Sequence, residues 1–281
     1  MEVLVDLVVM LGMLVIVPMG LRLADVPEAD TAVRLWPLFA VPGAVSLWLP
    51  RGALATALAC CYAAGTLLLA LSAPRRVAAN RSLAPAEVAL ATALVSPAVA
   101  ATALVAERWG YPLFGFTLEI LDLTVPHFHF AGFAAALVAG LVHGAAPGRR
   151  SAAFAALSVP LGTLLVLLGY FIDDWAELAG AVVLTAGMWA VGLLTWREVR
   201  PGTGDRLTRA LLTVSAAVLV ATMLLALSWA VGEATGLPHP NLAWMAATHG
   251  VANALGFALC SLLAWRRLPR RTGAAPRPRT A

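Results

Sequence analysis

Five histidines occur in the chain, and three of them fall inside long apolar runs. His127 and His129 lie in Leu121-Asp122-Leu123-Thr124-Val125-Pro126-His127-Phe128-His129-Phe130. His249 lies in Thr248-His249-Gly250-Val251-Ala252-Asn253. An imidazole titrates near neutral pH, and when a carboxylate or amide orients it, it can give and take protons. On a regular helix, residues two apart point roughly 200° from each other, so His127 and His129 cannot hold one ion unless Pro126 distorts the turn. His129 shares a face with Asp122, seven residues earlier, and His249 shares one with Asn253, four residues later. These groups suit acid–base chemistry, and no metal or cofactor is expected.

Two more carboxyls join the candidates. Glu107 falls at the C-terminal end of an apolar segment, where the helix dipole disfavours an acid. It therefore needs a partner, for which Arg108 is the simple choice, or a purpose as an acid. Asp173 is a second acid candidate. Each group has a structural alternative. The histidines could bond one helix to another, Asp122 could cap a helix, and Asp174-x-x-Glu177 fits a capping box. Glu119 and Glu233 fall in loops that would cover the site. His143 and His239 read as structural. Cys60, Cys61 and Cys260 match no zinc or disulfide spacing and read as small packing residues.

The elements that must position these groups are membrane helices. Apolar residues make up 61% of the chain and charged residues 12%, about half the charge that a soluble surface carries. Apolar blocks of about twenty residues fit helices crossing a bilayer, and ten-residue alternating strands are absent. The expected fold is an all-α bundle of about nine spans, over 3–21, 35–50, 54–73, 86–106, 121–144, 152–172, 176–196, 209–231 and 242–265. The second, short and carrying Pro37, Pro42 and Pro50, could instead be tilted or re-entrant. The first block follows no basic leader region and is expected to stay as a helix. Residues 1–268 form one membrane domain. The Pro- and Arg-rich stretch over 269–281 reads as a disordered cytoplasmic tail that can touch anionic lipid. No internal repeat is evident, which weakens a reading as an inverted-repeat transporter.

All nineteen basic residues are arginine, and seventeen fall in alternate loops or the tail, leaving Arg51 and Arg108 on the other side. The positive-inside rule then places the C-terminus in the cytoplasm and the N-terminus outside an inner (plasma) membrane. Both histidine-bearing spans run from outside to inside. Their polar groups should thus share one depth in the outer half, with Gly132, Gly140, Gly250 and Gly256 allowing close approach.

Thr124-Val125-Pro126-His127-Phe128-His129-Phe130-Ala131-Gly132-Phe133 resembles a signature of the YndJ-like bacterial membrane proteins. His249-Gly250-Val251-Ala252-Asn253-Ala254-Leu255-Gly256-Phe257 is similar to their second signature. The resemblance covers most of the chain. It implies the membrane topology and these site positions, and it leaves the substrate open. Phe130 stands where that family's motif has a tyrosine, which removes a phenolic proton donor. His127-Phe128-His129-Phe130 is also similar to a haem-binding helix of haem–copper oxidases, but five histidines are too few for that site.

The expected function is a membrane-embedded enzyme. An acid–base site of His127, His129, His249, Asn253 and Asp122, with Glu107 or Asp173 as acids, would act on a lipophilic small molecule. Isomerisation, or proton-initiated cyclisation of an isoprenoid- or polyketide-like chain, suits these groups. The alternatives are a transporter with proton-relay histidines and a metal or haem protein. Membrane lipids are the other expected partner, nucleic acid is not one, and the oligomeric state stays open. A C-terminal fusion to a fluorescent protein should glow and a C-terminal alkaline phosphatase fusion should be silent; an active phosphatase would reverse the topology.

Overall fold

The computed structural model describes residues 2–269, so the expected tail, from position 270 on, lies outside the described residues. Nine helical segments follow one another: α1 Glu2–Ala24, α2 Asp30–Ser46, α3 Ala53–Asn80, α4 Pro85–Trp109, α5 Leu118–Ala145, α6 Arg150–Gly169, α7 Asp174–Gly202, α8 Arg206–Thr235 and α9 Leu242–Arg267. No strand occurs among the described residues. Eight helices are long and apolar enough to cross a membrane. The exception is α2, of 17 residues, or about 26 Å at 1.5 Å per residue.

Despite its length and its two internal prolines, α2 runs the depth of the bundle. Just before its first turn, the Glu28 carbonyl accepts from Ser72 Oγ at 3.1 Å. At its last turn, the Leu47 carbonyl accepts from Arg108 Nη1 at 3.2 Å. Those partners mark opposite ends of the molecule, called here the Arg76 end and the Glu107 end. The described chain therefore passes between the two ends nine times. Large apolar side chains such as Leu38, Leu54, Leu161 and Val220 are exposed around its girth. Lipid requires such an exterior, and the protein is a multi-pass membrane bundle. Cys60 and Cys61 belong to this exterior rather than to the packing between helices.

Without a hydrophobic drive between helices in lipid, association depends on close packing. The tightest seam joins α6 and α7. A Cβ at Gly162 would lie 2.5 Å from the Leu184 backbone, one at Gly180 2.5 Å from the Val166 nitrogen, and Gly169 leaves equally close access to Glu177. Of the glycines expected to bring α5 and α9 together, Gly132 presses instead on Ser96 of α4 and Gly256 on Val218 of α8. Gly140 and Gly250 have looser surroundings.

Ion pairs close the two ends. Glu107, with a side chain 0% exposed, takes Arg51 Nε at 2.7 Å on one oxygen and Arg108 Nε on the other. It thereby ties α4 to the loop after α2. At the other end Arg76 pairs with Glu87 at 2.7 Å and with Glu28 at 3.7 Å. Asp205 caps α8 and accepts Arg267 Nη2 of α9 at 2.8 Å. Hydrogen bonds from Thr208 and Arg267 hold its carboxyl well below the usual range. Removing one member of a buried pair leaves the other charge uncompensated, a loss of about 3–5 kcal/mol. Glu107→Ala should therefore lower the unfolding midpoint of the detergent-purified protein sharply, and Arg34→Ala, which breaks only an exposed pair, should barely move it.

Candidate functional site

Three helices widen into π-helical turns where they meet: α1 over Gly12–Ile16, α5 over Phe128–Ala134 and α9 over Ala246–Gly250 and Ala252–Leu259. Such turns rearrange the backbone ladder and frequently mark functional positions. In α5 the widening follows Pro126, which lacks an amide hydrogen. The widened stretches of α1, α5 and α9 pack against one another, so α5 and α9 are neighbours as their shared direction suggested.

His127 and His129 diverge. His129 is 0% exposed, and its Nε2 shares a 2.5 Å hydrogen bond with Tyr62 Oη of α3. Tyr62 in turn meets the edge of Trp36, with centroids 5.8 Å apart, and Trp36 Nε1 donates to the Met13 carbonyl at 2.8 Å. His129 Nδ1 has no partner and lies against Gly12, where a Cβ would come within 2.6 Å. The ring thus fills a notch among α1, α2 and α3. The expected pairing of His129 with Asp122 is not formed. Seven residues on a helix share a face but stand about 10 Å apart along the axis.

His127 faces the other way, into a cavity of about 560 Å³ bounded by α1 and α4–α9. Its imidazole makes no hydrogen bond and rests its edge on Phe128 at 5.6 Å. His249 and Asn253 line the same cavity. The Thr222 carbonyl can only accept, so the 2.8 Å contact with His249 Nδ1 places a hydrogen on Nδ1. In the neutral ring Nε2 is then the acceptor, and Asn253 Nδ2 donates to it at 3.2 Å. Asn253 Oδ1 accepts from Thr222 Oγ1 at 3.0 Å, which completes a closed triad. His127 therefore offers an unoccupied imidazole, and His249 one of fixed tautomer, in the same space.

The cavity walls are otherwise largely apolar, among them Val99, Leu167, Met188 and Met223. Over the Glu107 end, Phe114 and Phe116 reach across from the α4–α5 loop to Tyr170 and Phe171 beyond α6. Their rings meet edge to face at 5.2–6.2 Å between centroids. Phe114 adopts a left-handed φ of 57°, a conformation that side-chain-bearing residues seldom take. Glu177 and Tyr170 contribute further polar groups to the lining.

The other expected acids lie elsewhere. Asp122 opens on a smaller cavity of about 250 Å³ with Glu2, Arg51 and Glu119, and Thr117, not Asp122, caps α5 by accepting from Ile120 N at 3.3 Å. Asp173 caps α7, accepting from Ala176 N at 2.8 Å, so the cap begins one residue before the expected capping box. Glu107 is held in its ion pairs, and Glu233 meets His239 Nε2 at 3.1 Å. Among the described residues, no three of His, Cys, Asp and Glu converge to hold a metal ion. Tyr62, Thr222 and Glu177 were not among the expected site residues. Tyr62 carried a usable signal, a phenol in an apolar run where an unbonded hydroxyl is costly.

These features define an all-helical membrane protein with a histidine-lined cavity in one half of its bundle. The chain belongs to the family described as YndJ-like protein, whose model matches residues 7–257. No curated protein and no solved structure matches it. Leaving His129 wholly unbonded should cost about 1–3 kcal/mol. Tyr62→Phe should therefore lower thermal stability measurably while Tyr111→Phe, an exposed phenol, leaves it unchanged; equal melting of both variants would remove the anchoring role given to Tyr62.

Proposed function

We propose that the protein is an enzyme of the plasma membrane whose cavity binds a lipophilic small molecule and moves protons on it. Isomerisation, or proton-initiated cyclisation of an isoprenoid- or polyketide-like chain, is the reaction class. The observation that carries this reading is an imidazole without hydrogen bonds, His127, facing an apolar cavity of about 560 Å³. That volume lies within the range of small-molecule sites, which are mostly apolar with a few placed polar groups. A neutral imidazole there has a lone pair for a substrate proton, and the surrounding apolar walls keep competing water away. His249, held by Thr222 and Asn253, supplies a second imidazole of defined orientation. His129 supports the site through its bond to Tyr62.

The remainder of the bundle favours a one-sided pocket. Towards the Arg76 end, Gly20 packs under Phe133 and Leu137, and Ser215 and Ser261 share a 2.5 Å hydrogen bond between α8 and α9. With the arginine-rich end in the cytoplasm, the cavity would receive substrate from the outer leaflet or outer face. His127→Ala and His249→Ala should fold normally yet reduce conversion of a lipophilic metabolite in the native host by at least about 100-fold, the scale of one general acid or base. Mass spectrometry of lipid extracts from wild-type and variant cells reads this out. A metabolite unchanged in chemical form but redistributed across the membrane would instead establish a transporter.

A further inference from the structure

Proton-initiated chemistry needs a donor as well as an acceptor, and the carboxyls expected to donate do not reach the large cavity. One other carboxyl does. Glu177, in the first turn of α7, lines that cavity, whereas His127 and His249 come from α5 and α9. Its amide donates to the Asp173 carbonyl at 3.1 Å, whereas its carboxyl makes no hydrogen bond or ion pair among the described residues. The charges that act on it, Asp174 and Glu233, are both acidic. Glu177 is half-buried, and taking an uncompensated carboxylate out of water is far more costly than taking a carboxylic acid. Its backbone is fixed as well, because Gly169 brings α6 directly against it. Tyr170 also lines the cavity, but a phenol is a far weaker acid than a carboxylic acid.

We infer that Glu177 is the proton donor of the large cavity, delivering its proton to an electron-rich carbon–carbon double bond of the bound molecule. The inference rests on the enzymatic reading above. In the forward step the Glu177 O–H bond breaks and a C–H bond forms, leaving a carboxylate and a substrate cation. His127 then removes a proton from a carbon next to the cationic centre, and the released electron pair forms a new double bond. The product is an isomer of the substrate. A proton passing from imidazolium to carboxylate through solvent resets the site, and no oxidant or reductant enters.

Two measurements test this. Dicyclohexylcarbodiimide, a lipophilic reagent for protonated carboxyls, should modify Glu177 of the full-length detergent-purified protein at neutral pH faster than Glu233 or Glu119, as read by peptide mass spectrometry. In the lipid-extract assay, Glu177→Gln should lose conversion by at least about 100-fold, Glu177→Asp should keep part of it, and Tyr170→Phe should lose less than tenfold. Full conversion by Glu177→Gln, with His127→Ala inactive, overturns the donor role and leaves the enzymatic reading standing. Unchanged conversion in every variant, His127→Ala included, overturns both. If Glu177→Gln fails to fold, the labelling of the unaltered protein decides: modification no faster than at Glu233 overturns the inference.

Discussion

The hydrogen bond between His129 and Tyr62 sets the rotation of α5, and with it the rest of the site. A histidine in hydrocarbon cannot fall back on water, so whichever way the helix turns, this ring must find a partner or lose about 1–3 kcal/mol. Tyr62 supplies one nitrogen with a partner at 2.5 Å. Gly12 supplies the space, since any side chain there would overlap the ring. Trp36 locks Tyr62 edge-on and binds back to the Met13 carbonyl, in the π-helical turn that contains Gly12. With His129 turned toward α1, α2 and α3, His127 has to face roughly the opposite side. There it meets the space bounded by α1 and α4–α9 rather than a hydrogen-bonding side chain.

The same constraint explains why one histidine is a structural element and its neighbour a candidate for chemistry. Nδ1 of His129 remains unpaired, and either direction of the bond to Tyr62 leaves a buried hydrogen or lone pair without a mate. A bundle tolerates one such group when the contacts around it are otherwise dense. His249 is treated differently, with both nitrogens engaged, so its tautomer is defined before any ligand arrives. Preorganisation of that kind lowers the cost of reaction, because the dipoles need not turn when charge moves.

Much of this was legible in the sequence, and what was not was non-local. Hydropathy alone delimits eight of the nine segments, since lipid permits little else for twenty apolar residues. Intramembrane histidines single out α5 and α9, and the i, i+4 spacing of His249 and Asn253 predicts their contact because it lies within one helix. Tyr62 and Thr222 escape such reasoning, and Glu177 reads from sequence as part of a capping box, as their relation to the histidines exists only once α3, α7 and α8 are packed. The pairing of Asp122 with His129 is absent for a different reason. Periodicity reports direction around the axis but not distance along it, and a shared face does not close a gap of about 10 Å. Glu107 and Asp173 are acids of the right type that already have local duties, an ion pair and a helix cap.

The distribution of polar contacts along the bundle also bears on what kind of protein this is. A carrier that exposes its site alternately to two faces usually places it near the midplane, between repeats or on broken helices that can rock. Here the cavity lies toward the Glu107 end, while the part nearer the Arg76 end is closed by interlocking contacts. Phe133 and Leu137 fit against Gly20, Ser215 meets Ser261, and Arg267 is clamped to Asp205. Opening a path there would require α1, α5, α8 and α9 to separate together and would leave hydroxyls and charges without partners. The Glu107 end is covered more lightly: between α5 and α7 the barrier includes four aromatic rings in edge contact, carried by two connecting segments. Ring-to-ring contacts can part without breaking a hydrogen bond, so the cheaper motion admits a ligand from one side and leaves the other closed. That asymmetry suits a pocket that converts its ligand and returns it to the side it came from.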